Sequence, residues 1–275
     1  MMRLLIGVLL LALAFAQGQQ VHAKDPTLTI SFGVVDKVYS ATGLLARKDA
    51  ADVTIEHDIA YKKRMTYRAV PLLDLLGDID NAPFDTLEAR ATDGFVSQIP
   101  ISLARKAREG GAIPWVAIDT AKNPWPNLPG RSYSPGPFFL VWQHAEKSGV
   151  GPEQWPYALA QLSGVASPLQ RWPQMAVAAS LPADAAERRG AESYIKHCLS
   201  CHRLNGAGEG DMGPDLDKPM NATEYMTPVG LRRLIRDPAS VRTWPTQVMQ
   251  GFDTSVLPDS ELEDLIAYLT YIARK

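Results

Sequence analysis

Two cysteines stand three positions apart in this sequence, and a histidine directly follows the second one. The segment reads His197-Cys198-Leu199-Ser200-Cys201-His202, and it holds both cysteines of the chain. Two thiols one helical turn apart can add to the two vinyl groups on one edge of a haem, and the next residue then lies beneath the iron. The spacing therefore predicts one haem c, bound covalently through Cys198 and Cys201, with the His202 imidazole on the iron.

Three other interpretations of the two cysteines fit the sequence less well. A thioredoxin-like redox pair also reads C-x-x-C, but it usually lies where a strand enters a helix and has no adjacent histidine. A zinc site needs about four ligands, and the sequence has no second cluster of cysteine and histidine. Chance adjacency is the remaining alternative, and the residues around the motif argue against it.

The neighbouring sequence predicts short helices that would position the motif. Asp184 with Glu187 resembles an N-cap and its partner at the start of a helix that leads to the cysteines. Thr227-Pro228 predicts the start of a second helix. Ser260 with Glu263 predicts a capping box at the start of the last helix, whose apolar residues recur at helical spacing.

Several residues between 184 and 275 match a known pattern in order. They are Gly190-x-x-x-Tyr194-x-x-x-Cys198, the haem motif, Gly213-Pro214-Asp215-Leu216 and Leu265-Ile266-Ala267-Tyr268-Leu269. With them this region resembles a class I c-type cytochrome, which implies an all-α domain with the haem packed between its first and last helices. Tyr268 is the expected partner of Gly190 where those helices cross. The resemblance also implies that the Pro214 carbonyl accepts a hydrogen bond from His202, which makes the imidazole a stronger donor to iron.

The same resemblance implies a methionine as the second axial ligand of the iron. The family usually carries it on a loop before the last helix, often as Met-x-x-Phe. Met249-Gln250-Gly251-Phe252 lies there, although Gln250 replaces the proline that commonly follows the methionine. The expected metal ligands are therefore His202 and Met249. The other methionines after the motif are expected to fill space in the core: Met212, Met220 and Met226.

Residues 24–166 follow a different pattern, with apolar residues alternating as in strands. Leu28, Ile30 and Phe32 alternate with polar neighbours, and Phe138–Trp142 forms a continuous apolar run that is typical of a buried strand. Short helices are predicted near residues 70–76 and 102–108. The prediction is a sheet-rich α+β domain over 24–166, joined by a proline-containing linker at 167–182 to a haem domain at 183–275.

This first domain is similar to the molybdopterin-binding domain of the sulfite oxidase family. The similarity rests on three segments: Tyr67-Arg68-Ala69-Val70-Pro71-Leu72, Ala91-Thr92-Asp93-Gly94-Phe95 and Gly136-Pro137-Phe138. That family binds molybdenum through a cysteine thiolate, and residues 24–166 contain no cysteine. We therefore expect a relative without molybdopterin that serves docking or ligand binding. Tyr133, Trp142 and His144 could line a pocket there, but we expect core aromatic residues and a surface histidine instead.

The amino terminus predicts export. Residues 1–23 combine Arg3, a short apolar run and a small-residue site at Val21-His22-Ala23, as in a cleaved signal peptide. No other long apolar stretch predicts a transmembrane segment in the mature chain. The formal net charge of −2 and the lack of a basic cluster give no indication of nucleic-acid binding.

Together these features predict a two-domain periplasmic electron-transfer protein that exchanges electrons with another redox protein. Two alternatives stay open at this point. The chain could be a haem-containing oxidoreductase subunit that oxidises a small substrate in its first domain. It could also be a haem sensor, which would need an open or labile sixth position on the iron.

Overall fold

A computed structural model of the chain describes residues 25–245 and 247–275. The predicted signal peptide, residues 1–23, lies outside the described residues. No helix in these two ranges is both long and apolar enough to cross a bilayer. The strands of the described residues are β1 (Thr27–Ser31), β2 (Lys37–Ser40), β3 (Ala51–Asp58), β4 (Lys63–Pro71), β5 (Thr86–Ala91), β6 (Val96–Pro100), β7 (Ile113–Ile118), β8 (Phe138–Gln143) and β9 (Leu159–Val165).

The helices are short in the first part of the chain and longer in the last part. The α-helices of the described residues are α1 (Ala41–Leu45), α2 (Leu72–Leu76), α3 (Ile101–Arg105), α4 (Pro168–Arg171), α5 (Ala186–His197), α6 (Ala222–Tyr225), α7 (Pro228–Arg236) and α8 (Asp259–Ile272). Single turns of 3-10 helix lie at Lys106–Glu109, Ala145–Ser148, Pro152–Gln154, Pro173–Met175 and Pro238–Ser240.

The strands form two sheets around one apolar core. One sheet has the order β2-β1-β9-β5-β6, and the other has the order β3-β4-β7-β8. Neighbouring strands are antiparallel except for β1 and β9, which are parallel. The predicted sheet-rich amino-terminal region and helical carboxy-terminal region are both confirmed.

The apolar patterns of β1 and β8 explain how this core forms. Leu28 and Ile30 point into it and are almost fully buried, while Thr29 between them is more exposed, as the alternation predicts. In β8 every residue from Phe138 to Trp142 is buried. Although β8 ends its sheet, the Pro156 carbonyl accepts a hydrogen bond from the Leu140 N–H at 3.0 Å, so the following chain covers this edge.

Helices α2 and α3 differ slightly from the predicted ranges. The helix predicted at 70–76 begins only at Leu72, because Val70 and Pro71 continue β4 and pair with β7. The helix predicted at 102–108 is α3 followed by a 3-10 turn. Both helices pack apolar residues against the sheets rather than forming a separate layer.

Helices α5 and α8 cross at Gly190 and organise the second core. A Cβ atom at Gly190 would overlap the Asp264 carbonyl and lie 2.6 Å from Cβ of Tyr268, so only glycine allows this approach. Tyr194 packs beside Tyr268 with ring centroids 5.9 Å apart, and both are fully buried. The predicted partnership of Gly190 and Tyr268 is confirmed.

The helix starts are only partly as predicted. Helix α7 does begin with a Thr227 cap, whose hydroxyl accepts from the Gly230 N–H at 3.1 Å. The other two predicted caps are wrong. Helix α5 has Ala185 at its N-cap position, one residue after Asp184. Helix α8 begins before Ser260, and Glu263 bonds to Arg232 instead at 2.5 Å.

The segment at 167–182 is folded along part of its length. It contains α4 and the 3-10 turn Pro173–Met175, and Met175 is fully buried in the helical core. The Met175 carbonyl accepts a hydrogen bond from the Tyr268 hydroxyl at 2.7 Å. Part of the segment between the two regions is therefore fixed to α8.

Candidate functional site

The cysteine–histidine motif lies at the carboxyl end of α5. The Cys198 N–H still bonds to the Tyr194 carbonyl at 2.8 Å, so the motif continues the last turn of the helix. The N–H groups of Cys201 and His202 then donate to the Cys198 carbonyl at 3.0 and 2.8 Å. These backbone bonds place Cys198, Cys201 and His202 on one turn of the chain.

Both thiols are free and partly buried. Burial, and then the Glu153 carboxylate, raise the pKa of the Cys198 thiol far above its ordinary value. The same two causes raise the pKa of Cys201 to about 11. A dithiol redox pair works as thiolate and depends on a lowered pKa, so these thiols do not fit a thioredoxin-like role. They do fit a site where the sulfurs end as neutral thioethers.

The His202 ring is fixed by the loop that follows the motif. Its Nδ1 lies 2.8 Å from the Pro214 carbonyl oxygen, the hydrogen bond that the family resemblance implies. Burial lowers the pKa of His202, and the Pro214 carbonyl opposes the shift only in part, so the ring is neutral near pH 7. With Nδ1–H donating to the carbonyl, Nε2 is the nitrogen that can bind a metal.

Gly213 lies directly against this imidazole. A Cβ atom there would lie 2.6 Å from Nδ1 of His202, well inside van der Waals contact. The Gly213 N–H also donates to the Cys201 carbonyl at 2.9 Å, so the loop is bonded back to the motif. Gly213 and Pro214 together set the ring orientation.

Asp215 holds the rest of the loop in place. Its carboxylate accepts hydrogen bonds from four backbone N–H groups at 2.7 to 3.1 Å: Asn205, Gly206, Asp217 and Lys218. Burial acts to raise the pKa of Asp215, but these four donors outweigh it and lower the pKa. The ionised carboxylate therefore closes the loop that carries Pro214.

Met249 lies on the loop between α7 and α8. It is half-buried, and the chain just after it is anchored because the Phe252 N–H donates to the Ile235 carbonyl at 3.0 Å. Phe252 in turn packs on the His197 ring, with centroids 5.6 Å apart. The loop of the predicted second ligand is thus held against the end of α5.

The other methionines occupy different surroundings. Met212 is exposed, so its predicted core position is wrong, and its sulfur lies 3.9 Å from Sγ of Cys201. Met220 is also exposed, which differs from the predicted core position. Because it lies just before Asn221, which caps α6, its side chain projects from a turn rather than from a packed helix face. Met226 does pack against the helical core.

The three aromatic and histidine residues considered for a pocket in the first region do not come together. Trp142 is buried, and its indole N–H donates to the Gln154 carbonyl at 2.8 Å. Tyr133 is 47% exposed, and His144 lies on the surface beside Glu146. Their placement is that of a core aromatic residue and two surface residues.

The contacts between the first region and the motif could not be predicted from the sequence. His197 is buried, and its Nδ1 lies 3.9 Å from Oε2 of Glu153, in the 3-10 turn Pro152–Gln154. Arg90 in β5 forms an ion pair with Glu209, which lies in the loop between the motif and Pro214. These pairs join residues more than 40 positions apart, and a single sequence has no short-range signal for them.

Residues 187–273 match the family model described as Cytochrome c. Proteins of this family bind haem c covalently and use it in electron transfer with redox partner proteins. The match does not extend to residues 24–166, whose similarity to the sulfite oxidase family stays a prediction. No curated protein matches the chain.

Proposed function

We propose, starting from the cytochrome c domain at residues 187–273, that this protein carries single electrons in the periplasm through one covalently bound haem c. The observation that carries the proposal is the joint placement of Cys198, Cys201 and His202 on one turn, with His202 oriented by Pro214. This donor set fits haem c, because it offers two thiols for the vinyl groups and one free imidazole nitrogen for the iron.

Each residue of the motif has a separate task in this proposal. Cys198 and Cys201 form the thioether bonds and fix the cofactor in the chain. His202 binds the iron through Nε2, while its Nδ1–H stays bonded to Pro214. That second bond increases the electron density on the imidazole and so stabilises the ferric form relative to an unbonded ring. Haem c supplies the one-electron change between ferric and ferrous iron.

Met249 is the proposed second axial ligand. Its loop is held near the end of α5 through the contact of Phe252 with His197. A thioether is a neutral, soft ligand that favours ferrous iron and raises the potential. If His202 and Met249 both bind the iron, small molecules would find no open position on it, which suits electron transfer better than sensing.

The first domain is proposed to be a molybdopterin-free relative of the sulfite oxidase fold that serves docking or ligand binding. The absence of cysteine from residues 24–166 supports this, because the family's metal ligand is a thiolate. The partner would be another periplasmic redox protein. Acidic residues outnumber basic ones by 14 to 11 over residues 183–275, which would favour a partner with basic residues around its own cofactor.

The test is to express the chain in a host that exports it and matures c-type cytochromes. We expect the purified protein to stay red after denaturation and acid–acetone extraction, and its mass to exceed that of the processed apoprotein by one haem. Thiol titration should find no free cysteine. Colour that extracts into the solvent, or two titratable thiols, would contradict the proposal.

Elemental analysis of the same protein tests the rival oxidoreductase function. In a host that makes molybdopterin, we expect about one iron per chain and negligible molybdenum. Stoichiometric molybdenum, or reduction of the haem by sulfite with no other protein present, would favour an enzyme that oxidises a substrate in the first domain.

A further inference from the structure

The loop that orients His202 contacts the sheet region at Glu209. Glu209 lies in this loop, and its carboxylate pairs with the Arg90 guanidinium of β5. The next residue, Gly210, touches the motif itself, since a Cβ atom there would lie 2.6 Å from the Cys201 carbonyl carbon and 2.8 Å from the His202 nitrogen. Any displacement of Glu209 is therefore passed to the peptide between Cys201 and His202.

Arg90 is itself held rigidly within the sheet region. Its guanidinium lies 2.7 Å from Oε1 of Glu88, which is almost fully buried. Oε2 of the same carboxylate accepts a hydrogen bond from Arg171 at 2.6 Å and another from the Gln98 amide at 3.1 Å. A buried carboxylate between two arginines has little freedom to move, so Arg90 presents a fixed charge to Glu209.

We propose that Arg90 is a positioning residue for the axial histidine, acting from the sheet region through Glu209 on the loop that brings the Pro214 carbonyl to His202. The proposal rests on the haem-binding role proposed above for His202. It gives the first domain a part in setting the properties of the haem site, beyond docking.

The proposal predicts the sign of a change in reduction potential. If Arg90 is removed, Glu209 loses its anchor and the hydrogen bond from Nδ1 of His202 to Pro214 is held less well. The imidazole then donates less electron density, the ferric form loses stabilisation, and the potential rises. Simple electrostatics predicts the opposite sign, because removing a positive charge near the haem favours ferric iron and lowers the potential.

The decisive variant is therefore Arg90→Ala in the full-length haem protein, measured by redox titration. We expect the ratio of ferrous to ferric protein at a fixed ambient potential to rise about three- to tenfold, where tenfold is about 59 mV for one electron. A fall in this ratio, or no change, overturns the proposal.

Two further variants serve as controls. Arg90→Lys keeps a charge that can pair with Glu209, so its reduction potential should lie close to that of the wild type. Arg64→Ala, in an exposed ion pair with Glu56 on the other sheet, is the matched control and should leave the potential unchanged.

A second measurement covers the case in which Arg90→Ala does not fold. Glu209→Ala removes the same ion pair from the partly exposed side of the loop. We expect hydrogen exchange at the Gly213 amide, which donates to the Cys201 carbonyl, to become at least several-fold faster in this variant. We also expect the reduction potential of the variant to rise, even at high salt. Unchanged exchange at Gly213 would contradict the proposal.

The failure of the two proposals can be told apart. If the wild-type chain holds no covalent haem by mass, then the proposed function is wrong, whatever Arg90 does. If the wild-type chain and Arg90→Ala both hold one haem and have equal potentials, the electron-transfer proposal stands and the positioning role of Arg90 is excluded.

Discussion

One carboxylate of the sheet region, Asp58, and one of the helical region, Asp215, have pKa values shifted in opposite directions. In the sheet region, Asp58 is almost fully buried and accepts hydrogen bonds from the Tyr67 hydroxyl at 2.7 Å and from the Ala60 and Tyr61 N–H groups. Burial prevails there and raises the pKa of Asp58. In the helical region, Asp215 is half-buried, and its four backbone donors lower its pKa.

This difference shows what each region does with its polar groups. The bonds of Asp58 tie β3 to β4 and to the turn between them, so they serve the sheet region's own scaffold. The bonds of Asp215 close the loop that carries Pro214, and the Pro214 carbonyl lies 2.8 Å from Nδ1 of His202. Asp58 thus stabilises the sheet region itself, whereas Asp215 helps to orient a side chain of the candidate site. The following predictions test that division.

The largest expected effect is on the proposed iron ligand in the helical region. Met249→Ala should abolish the ferric sulfur-to-iron charge-transfer band, lower the potential and let carbon monoxide bind, because the soft sixth ligand is lost. Absorption spectroscopy of the haem protein measures the band and carbon monoxide binding, and redox titration measures the potential. Met212→Ala, Met220→Ala and Met226→Ala are matched controls and should keep the band. A band that survives Met249→Ala and vanishes in one of the controls would show that the ligand assignment is wrong.

Trp142→Ala should have the largest effect on the sheet region. The indole is fully buried and bonded to Gln154, so we expect the free energy of unfolding to fall by about 3–5 kcal/mol. Denaturant unfolding followed by far-ultraviolet circular dichroism measures this, with Tyr133→Ala as an exposed control. The haem absorption spectrum of the native variant should be unchanged. A changed spectrum would mean that the core of the sheet region, and not only Asp215 and its loop, influences the haem site.

Gly190→Ala tests the helix crossing behind the motif. The added methyl group overlaps the Asp264 carbonyl, so α5 and α8 must separate, at a cost of about 1–3 kcal/mol in unfolding free energy. Thermal unfolding monitored by haem absorption measures the loss. Glu192→Ala, at an exposed position of the same helix, is the control and should change little. Equal stability of the two variants would mean that the crossing adapts.

The smallest expected effect concerns pH. Because the pKa of Asp215 is lowered in the fold, its stabilisation is present above the ordinary carboxyl pKa and is lost as the pH falls through the lowered value. Asp215→Asn should lower the free energy of unfolding by about 1–2 kcal/mol at pH 7 and progressively less in acid.

The contribution of Asp58 to stability should depend on pH with the opposite sign. The stability tied to its raised pKa declines as the pH rises through that value. Unfolding midpoints of both Asn variants between pH 3 and pH 7 measure this, with the exposed Asp36→Asn as control.

The local features of both regions could be predicted from the sequence because each depends on neighbouring residues. The alternation in β1, the apolar run of β8 and the Thr227 cap of α7 are of this kind, and each is confirmed. The placement of α6 was missed, although Asn221 with Glu224 forms a capping box that could have indicated it.

Features that depend on distant contacts could not be predicted in this way. Glu263 fits the pattern of a capping residue, but the approach of Arg232 from α7 gives it a charged partner instead. The pairing of Arg90 with Glu209 depends on how the two hydrophobic cores lie against each other. The motif residues could be proposed from the sequence because haem attachment requires a fixed local spacing, and the hydrogen bond from His202 to Pro214 was predicted only through the family resemblance.

The segment between the two cores also has a consequence for how the regions can be separated or recombined. Besides the bond from Tyr268 to Met175, the Tyr271 hydroxyl accepts from the Ala178 N–H at 3.0 Å, and the Lys275 ammonium donates to the Ala176 carbonyl at 2.8 Å. Part of this segment is thus bonded along α8 and is not a flexible linker. A fragment of the cytochrome c domain cut immediately before residue 183 would lose the segment that is bonded to its last helix. A fragment intended for fusion to another protein should therefore begin near residue 167, where this segment starts.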